Sequence, residues 1–275
     1  MDLLKQDKAL KEYRIAYNKN KLTLMDEIED IKGRFDYKSL KQYNTDLRRF
    51  KSETAKAIQL GILTPYQSYM AKKWLLKSRI KNRDILLWYL VYKYAYFNYL
   101  MKEIEQKVFY DVNRHFVEET EKQCQALTGK DYKIDYEKLT DEAMQEPNNL
   151  GYVWSVYKDS TTDFNANEMY NTIIMEYKGE KKSIKETIDR QENRIVNPKL
   201  KGTLDNQIDF ITSYSQMQIF YKYGIEIVRI MGVLDEKTCE ICDEYIGKEY
   251  PIDKIVIGKQ VSSHISCRCY LLPVR

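Results

Sequence analysis

The sequence has little of what loops and turns are made from, with ten glycines and five prolines in 275 residues. At 43% apolar and 31% charged residues it should be ordered and rich in helix, not a disordered or low-complexity chain. Histidine is scarcer still: His115 and His264 are the only two, which leaves no room for metal-dependent chemistry built on several histidines. Long hydrophobic runs are also missing. The most lipid-like stretch, Ile85 to Met101, is broken by Lys93 and Asn98 and carries five tyrosines. It falls short of the roughly 20 apolar residues a membrane span requires, and it reads as a buried helix.

Motifs for the commoner chemistries are absent too. There is no G-x-S-x-G, no Walker loop and no H-E-x-x-H. A zinc deaminase needs H-x-E before P-C-x-x-C, whereas His115 is followed by Phe116 and Val117, and Thr238 precedes Cys239. Carboxylate pairs such as Glu103/Glu105 and Glu118/Glu119 have no partner that suggests acid–base work and read as surface charge. The expectation is that this is not an enzyme. The first residues, Met-Asp-Leu-Leu-Lys-Gln-Asp-Lys, put charges where a secretory signal needs apolar ones, so the protein is expected to stay in the cytoplasm where it is made, with no membrane partner.

What the chain does have is charge unevenly placed. Residues 1–130 hold 26 Lys+Arg against 17 Asp+Glu, residues 131–230 hold 13 against 17, and residues 231–275 hold 6 against 7. The basic excess concentrates between Arg48 and Arg83, where ten basic residues face one acidic residue, Glu53. Such a local field suits packaged DNA or an acidic protein face, and equally a solvated helix surface. Arg48, Arg49, Lys72, Lys73, Lys77 and Arg79 are the candidate contacts. The 24 tyrosines, dense between Tyr89 and Tyr110, bring large amphipathic area at low entropic cost and as a set favour a protein that docks on something.

Apolar residues recur at helical spacing from the start to about Gly33, and again from about Tyr37 to Leu60. Thr64-Pro65 is an N-cap followed by proline at the first helical position. From Asp84 to about Leu127 no glycine or proline intervenes, which predicts one long helix or two in tandem. Residues 131–165 lose periodicity and include Glu-Pro-Asn-Asn-Leu-Gly, so they read as a linker between an N-terminal helical part (1–130) and a C-terminal domain (166–275). Within the latter, helices are expected near 166–177, 181–194 and 205–223, the last ended by Gly224. Strands are expected at Ile225–Leu234, Lys254–Ile257 and Cys269–Val274. The fold class is α+β: mainly helical, with an extended helical N-terminal part and a small β-rich C-terminal domain.

Four of the five cysteines fall in the last 37 residues: Cys239 and Cys242 as C-x-x-C, then Cys267 and Cys269, with His264 three residues ahead of Cys267. Two short clusters of soft ligands form a structural zinc pattern, the ion standing in for a hydrophobic core that so small a unit lacks. Reduced thiols and disulfides are the alternatives. The favoured ligands are Cys239, Cys242, His264 and Cys267, with Cys269 as the substitute. Cys124, alone in a helix, reads as a buried small apolar residue. Ligands sufficient to close the shell argue against a catalytic metal, and the weakly acidic surroundings argue against a nucleic-acid-binding zinc module.

The stretch Val233-Leu-Asp-Glu-Lys-Thr-Cys239-Glu-Ile-Cys242, followed by Tyr245-Ile-Gly247-Lys-Glu-Tyr250 and His264-Ile-Ser-Cys267-Arg-Cys269, resembles the C-terminal motif of the phage minor head proteins of the SPP1 gp7 and Mu F type. In that family T-C-x-x-C leads to a G-x-x-[FY] turn and then H-x-x-C-R-C. The likeness covers about residues 205–275 well, 165–205 loosely, and the rest only in being helical. The family often has prolines around the histidine, and this chain has Val261-Ser-Ser-His264-Ile instead. The resemblance implies a structural virion protein present in several copies, associated with the portal protein in the capsid interior and assisting head assembly or delivery of double-stranded DNA. During assembly such a protein is in the host cytoplasm. A nucleic-acid-binding protein using the basic helices at 48–83 is the alternative.

Overall fold

The structure, a computed structural model, describes residues 3–34, 43–76, 82–146, 150–180, 183–195, 200–236, 238–263 and 267–274. In chain order these form α1 (Leu3–Arg34), α2 (Tyr43–Gln59), α3 (Pro65–Leu75), α4 (Asn82–Thr128), α5 (Tyr136–Gln145), α6 (Leu150–Tyr177), α7 (Ile184–Ile195), α8 (Leu200–Tyr223), β1 (Ile227–Met231), α9 (Glu240–Tyr245), β2 (Glu249–Pro251) and β3 (Tyr270–Pro273). Among the described residues no helix is long and apolar enough to cross a membrane.

The chain folds into two compact units that interleave along the sequence. One comprises Met1–Tyr13, Glu105–Trp154 and Pro198–Arg275, and the other Arg14–Ile104 and Ser155–Asn197. This differs from the successive segments 1–130, 131–165 and 166–275 read from the sequence. Helices α1, α4 and α6 each give residues to both units, so the division falls within helices rather than between elements.

The all-helical unit is held by Leu24, Ile28 and Ile31 of α1, Phe50 of α2, Ile85 to Tyr94 of α4, Met169 and Ile173 of α6, and Ile184 and Ile188 of α7. The three-or-four spacing of these residues places each set on one helix face. Lys93, which interrupts the apolar run, is accommodated by pairing its Nζ with Glu27 at 3.2 Å. Buried polar side chains are matched in kind: Tyr94 Oη donates to Gln191 Oε1 at 2.7 Å, and Asn98 Nδ2 donates to Thr162 Oγ1 at 2.8 Å. Helix α3 opens with a reciprocal cap. Gln67 N–H donates to Thr64 Oγ1 and Thr64 N–H to Gln67 Oε1, which satisfies two of the otherwise orphaned donors at the helix start.

The sheet-bearing unit sets the end of α4, together with α5 and α8, around a three-stranded antiparallel sheet of order β2-β1-β3. Helix α8 stops at Gly224, whose φ of 70° is the left-handed conformation open to glycine. Ile225 N–H then donates to Phe220 O at 2.9 Å, closing a Schellman turn that feeds directly into β1. Along β1, Val228 and Ile230 are buried and Arg229 is exposed, the alternation of a strand with one wet face. Val228 faces Tyr250 of β2 and Pro273 of β3, and Ile230 faces Leu271.

The expected strands at Ile225–Leu234 and Cys269–Val274 are present in shorter form as β1 and β3. Lys254–Ile257 is not a strand: Ile252–Lys254 is a 3-10 turn, and Ile257 makes only an isolated bridge to Val261. The partner of β1 is β2, three residues ending in Pro251, too short to show a period. The segment read as a linker contains α5, capped by Asp135, whose carboxylate accepts Lys138 N–H at 3.0 Å. It also contains the start of α6, which begins at Leu150 rather than near 166. The helix expected from Tyr37 begins at Tyr43, and residues 35–42 lie outside the described residues.

Candidate metal centre

The cysteine cluster is built at one end of the sheet. As the chain leaves β1, Asp235 N–H donates to Thr238 Oγ1 at 2.8 Å, and Thr238 Oγ1 donates in turn to Val233 O at 2.8 Å. This turn delivers Cys239 as the N-cap of α9, where its Sγ accepts Cys242 N–H at 3.3 Å. A sulfur that accepts a backbone N–H is a better thiolate, because the donor stabilises the charge. Cys242 then falls on the first turn of α9 and is buried. Cys267 and Cys269 arrive on the segment entering β3. Residues two apart on extended chain share a face, so both sulfurs turn inward while Arg268 between them turns out toward Asp235.

Cys242, Cys267 and Cys269 bring their sulfurs within 4.8 Å of one another, and all three are buried. The Cys242–Cys267 sulfur separation is 3.8 Å. Sulfurs held tetrahedrally at roughly 2.3 Å from an ion are themselves roughly 3.8 Å apart, the separation of the Cys242–Cys267 pair, so the three thiols fit a thiolate-bound metal. No disulfide joins the described cysteines.

The protonation chemistry of the cluster agrees with that fit. Burial pushes the Cys242 thiol up to about 12. The Cys269 thiol is raised as well, chiefly by its hydrogen bond to Cys267, while that bond and backbone N–H donors hold Cys267 down at about 4. Burial thus favours the neutral thiols, while hydrogen bonding favours negative charge on Cys267. A divalent cation reverses that balance and deprotonates the remainder.

Of the expected ligands, Cys242 and Cys267 belong to this group. Cys269, expected as a substitute, is its third member. Cys239 caps α9 beside it but is not within the mutual 4.8 Å set, and His264 lies outside the described residues. Cys124 is a fully buried residue of α4, its thiol pushed up to about 12 by burial, as expected of a small core side chain. Gly232 leaves room for the cluster: a Cβ there would come 2.7 Å from Ile246 Cδ1 and 3.5 Å from Cys269 Sγ.

The Arg268–Asp235 pair was not foreseen. Its only sequence signal was an arginine inside C-R-C and an aspartate four residues before C-x-x-C. The basic candidates sit in the all-helical unit. Arg48, Arg49, Lys72 and Lys73 are exposed, with Arg49 paired to Glu53 at 2.7 Å, whereas Lys77 and Arg79 lie outside the described residues.

No family model, no curated protein and no solved structure matches the chain.

Proposed function

We propose that this chain is a minor head protein of a tailed phage, a structural component of the virion without catalytic activity, whose sheet-bearing end is stapled by one zinc ion. The observation that carries the reading is the spacing of T-C-x-x-C, G-x-x-[FY] and C-R-C together with the convergence of Cys242, Cys267 and Cys269. Zinc is favoured over other divalent ions because a thiolate-rich tetrahedron suits it and a cytoplasmic origin keeps the thiols reduced. Cys239 or His264 supplies the fourth ligand and closes the shell, which makes the site a staple with no open position for substrate.

The portal protein is the proposed partner, in the capsid interior and near packaged double-stranded DNA, with several copies per particle. Mass spectrometry of purified particles should find the chain in the virion, and a particle reconstruction without imposed icosahedral symmetry should place it at the portal vertex. Its absence from particles would overturn the reading.

A second reading, nucleic-acid binding, draws on the exposed Lys56, Lys72 and Lys73 beside the exposed Tyr66 and Tyr69. Cations near aromatic faces can hold phosphate and base together. A gel shift with a steep salt slope, weakened by neutralising Lys72 and Lys73, would favour it.

A further inference from the structure

Helix α1 buries Tyr13, Leu24, Ile28 and Ile31. Its opposite side carries a second pattern. Ile15 and Leu22 are 60% and 61% exposed, and at two helical turns apart they stand nearly in line. At roughly 100° per residue, Lys8, Lys11, Asn18, Lys19, Asp26 and Glu29 fall beside them in a stripe about 100° wide, and all of these are exposed. Because α1 is one unbroken helix, its own geometry sets these positions.

A lone exposed isoleucine or leucine needs no explanation. Here the order of the charges around the pair points to a partner. From its N-terminal end the stripe reads basic, apolar, apolar, acidic, and it is symmetric about the point between Asn18 and Lys19. Ile15 and Leu22 lie equally far to either side of that point, as do Lys11 and Asp26, and as do Lys8 and Glu29. A second copy turned end for end about an axis through that point sets Ile15 level with Leu22 of the copy, Lys11 with Asp26 and Lys8 with Glu29. Each residue then meets its counterpart twice, as an interface with twofold symmetry requires. Parallel pairing would set every charge against its own kind, and charges beside an apolar seam are what fix helix orientation.

The charges are open to such a partner. Among the described residues Lys8, Lys11 and Asp26 form no ion pair, and Glu29, which meets Lys32 at 3.4 Å, stays exposed. Lys19 is the charge of the stripe that meets a like charge, its own copy across the axis. That repulsion, with two apolar side chains from each copy, makes the expected dimer a weak one.

We infer that this face of α1 is a self-association surface. Two copies of the chain meet through α1 in antiparallel order, with Ile15 and Leu22 at the centre and Lys8, Lys11, Asp26 and Glu29 forming the two charged ends. The surface is separate from the proposed role in the virion and stands or falls without it.

The test is sedimentation equilibrium of the metal-loaded full chain, from about 5 μM to about 500 μM at low salt. A monomer–dimer equilibrium with a Kd of roughly 10–500 μM is expected, weakening at least about threefold when salt is raised to about 0.5 M. Lys8→Glu with Lys11→Glu, and separately Asp26→Lys with Glu29→Lys, should each weaken self-association at least about tenfold. An equimolar mixture of those two variants should pair about as tightly as the parent, because each then offers the charges that the other lacks. A chain that stays monomeric throughout overturns the inference and leaves the face to another partner. Self-association unchanged in the folded charge variants overturns it too, and so does a mixture that fails to pair. Should a charge variant fail to fold by circular dichroism, Ile15→Gln makes the comparison, with a loss of at least about fivefold expected and an unchanged dimer counting against the surface.

Discussion

Arg268 and Asp235 form a two-bonded ion pair, Nη1 to Oδ2 at 2.7 Å and Nη2 to Oδ1 at 2.5 Å. The arginine lies between two of the clustered cysteines, and the aspartate anchors the turn that presents the other two. One fork-to-fork contact therefore ties together the two chain segments that supply the sulfurs. The pair is about one-third exposed, so its worth is that of a well-oriented surface pair, roughly 0.5–1 kcal/mol. A double-mutant cycle with Asp235→Asn and Arg268→Gln, read by chemical denaturation of the metal-loaded protein, should return a coupling energy in that range. Arg268→Lys should recover less than half of it, because an ammonium cannot make both bonds. Zero coupling would show that the pair does not link the segments.

The thiols should fall into two reactive classes. Cys124 is fully buried and its thiol is pushed up to about 12, so it carries almost no thiolate near neutral pH. On the proposed zinc site, a bound ion protects Cys242, Cys267 and Cys269, and Cys239 too if it is the fourth ligand. A thiol reagent should then leave Cys124 and those three unmodified in the native protein, with Cys239 reacting only if His264 is the fourth ligand, and a strong chelator should expose the C-terminal four while Cys124 stays unmodified. Elemental analysis should find about one zinc per chain, lost in Cys242→Ser and kept in Cys124→Ser. Metal-free protein with an intact sheet would refute the staple.

The long helix α4 was legible in the sequence because forty-odd residues without glycine or proline leave helix as the only economical structure, and the end of α8 was legible because Gly224 announces it. The meeting of Cys242 with Cys267 and Cys269 was legible because two short clusters of soft ligands near one end of the chain form a metal-site pattern. What could not be read was the choice among nearby ligands, since Cys269 joins the group through the alternation of one short extended segment. Nor could β2 be read, because three residues carry no period. Within the segment 131–165, read as a linker, helix α5 could not be foreseen because its order rests on long-range bonds to α4 and α8, and composition does not register these.

Two tyrosines set an alkaline limit. The Tyr110 hydroxyl donates to Asp141, and the Tyr136 hydroxyl to Glu121 Oε2 at 2.8 Å. The hydrogen bond to Asp141 pushes Tyr110 up to about 12, and burial followed by the bond to Glu121 pushes Tyr136 up to about 12. An unfolded tyrosine loses its proton near about 10. Above that pH the folded chain binds more protons than the unfolded one, so stability falls as pH rises. This contribution is complete below about 10 and is lost as the pH climbs through about 12. Melting temperature followed across that window should drop less steeply in Tyr110→Phe and Tyr136→Phe than in the parent, and an identical slope would count against the two bonds.

The side chain of Asn113 joins three helices. From α4 its Nδ2 donates to Thr140 Oγ1 of α5 at 2.8 Å and to Ser215 Oγ of α8 at 2.9 Å, with all three residues buried. Thr140 already gives its own proton to Tyr136 O at 2.8 Å, so its oxygen can only accept, and asparagine supplies the donor that the site demands. Asn113→Ala removes both bonds and leaves a void, at an expected cost of about 2–3 kcal/mol. Thr140→Ala and Ser215→Ala each remove one acceptor while Asn113 keeps the other bond, so each should cost about 1 kcal/mol. Asn113→Asp offers acceptors where a donor is needed and should be worse than alanine above neutral pH, recovering as acid protonates the carboxyl. Denaturant titration gives the order of the four variants, and amide exchange locates the loss. Faster exchange across 136–145 in Asn113→Ala is the result expected of an α5 that belongs to the folded unit, whereas exchange there that is fast in the parent and unchanged in the variant would return that segment to a linker.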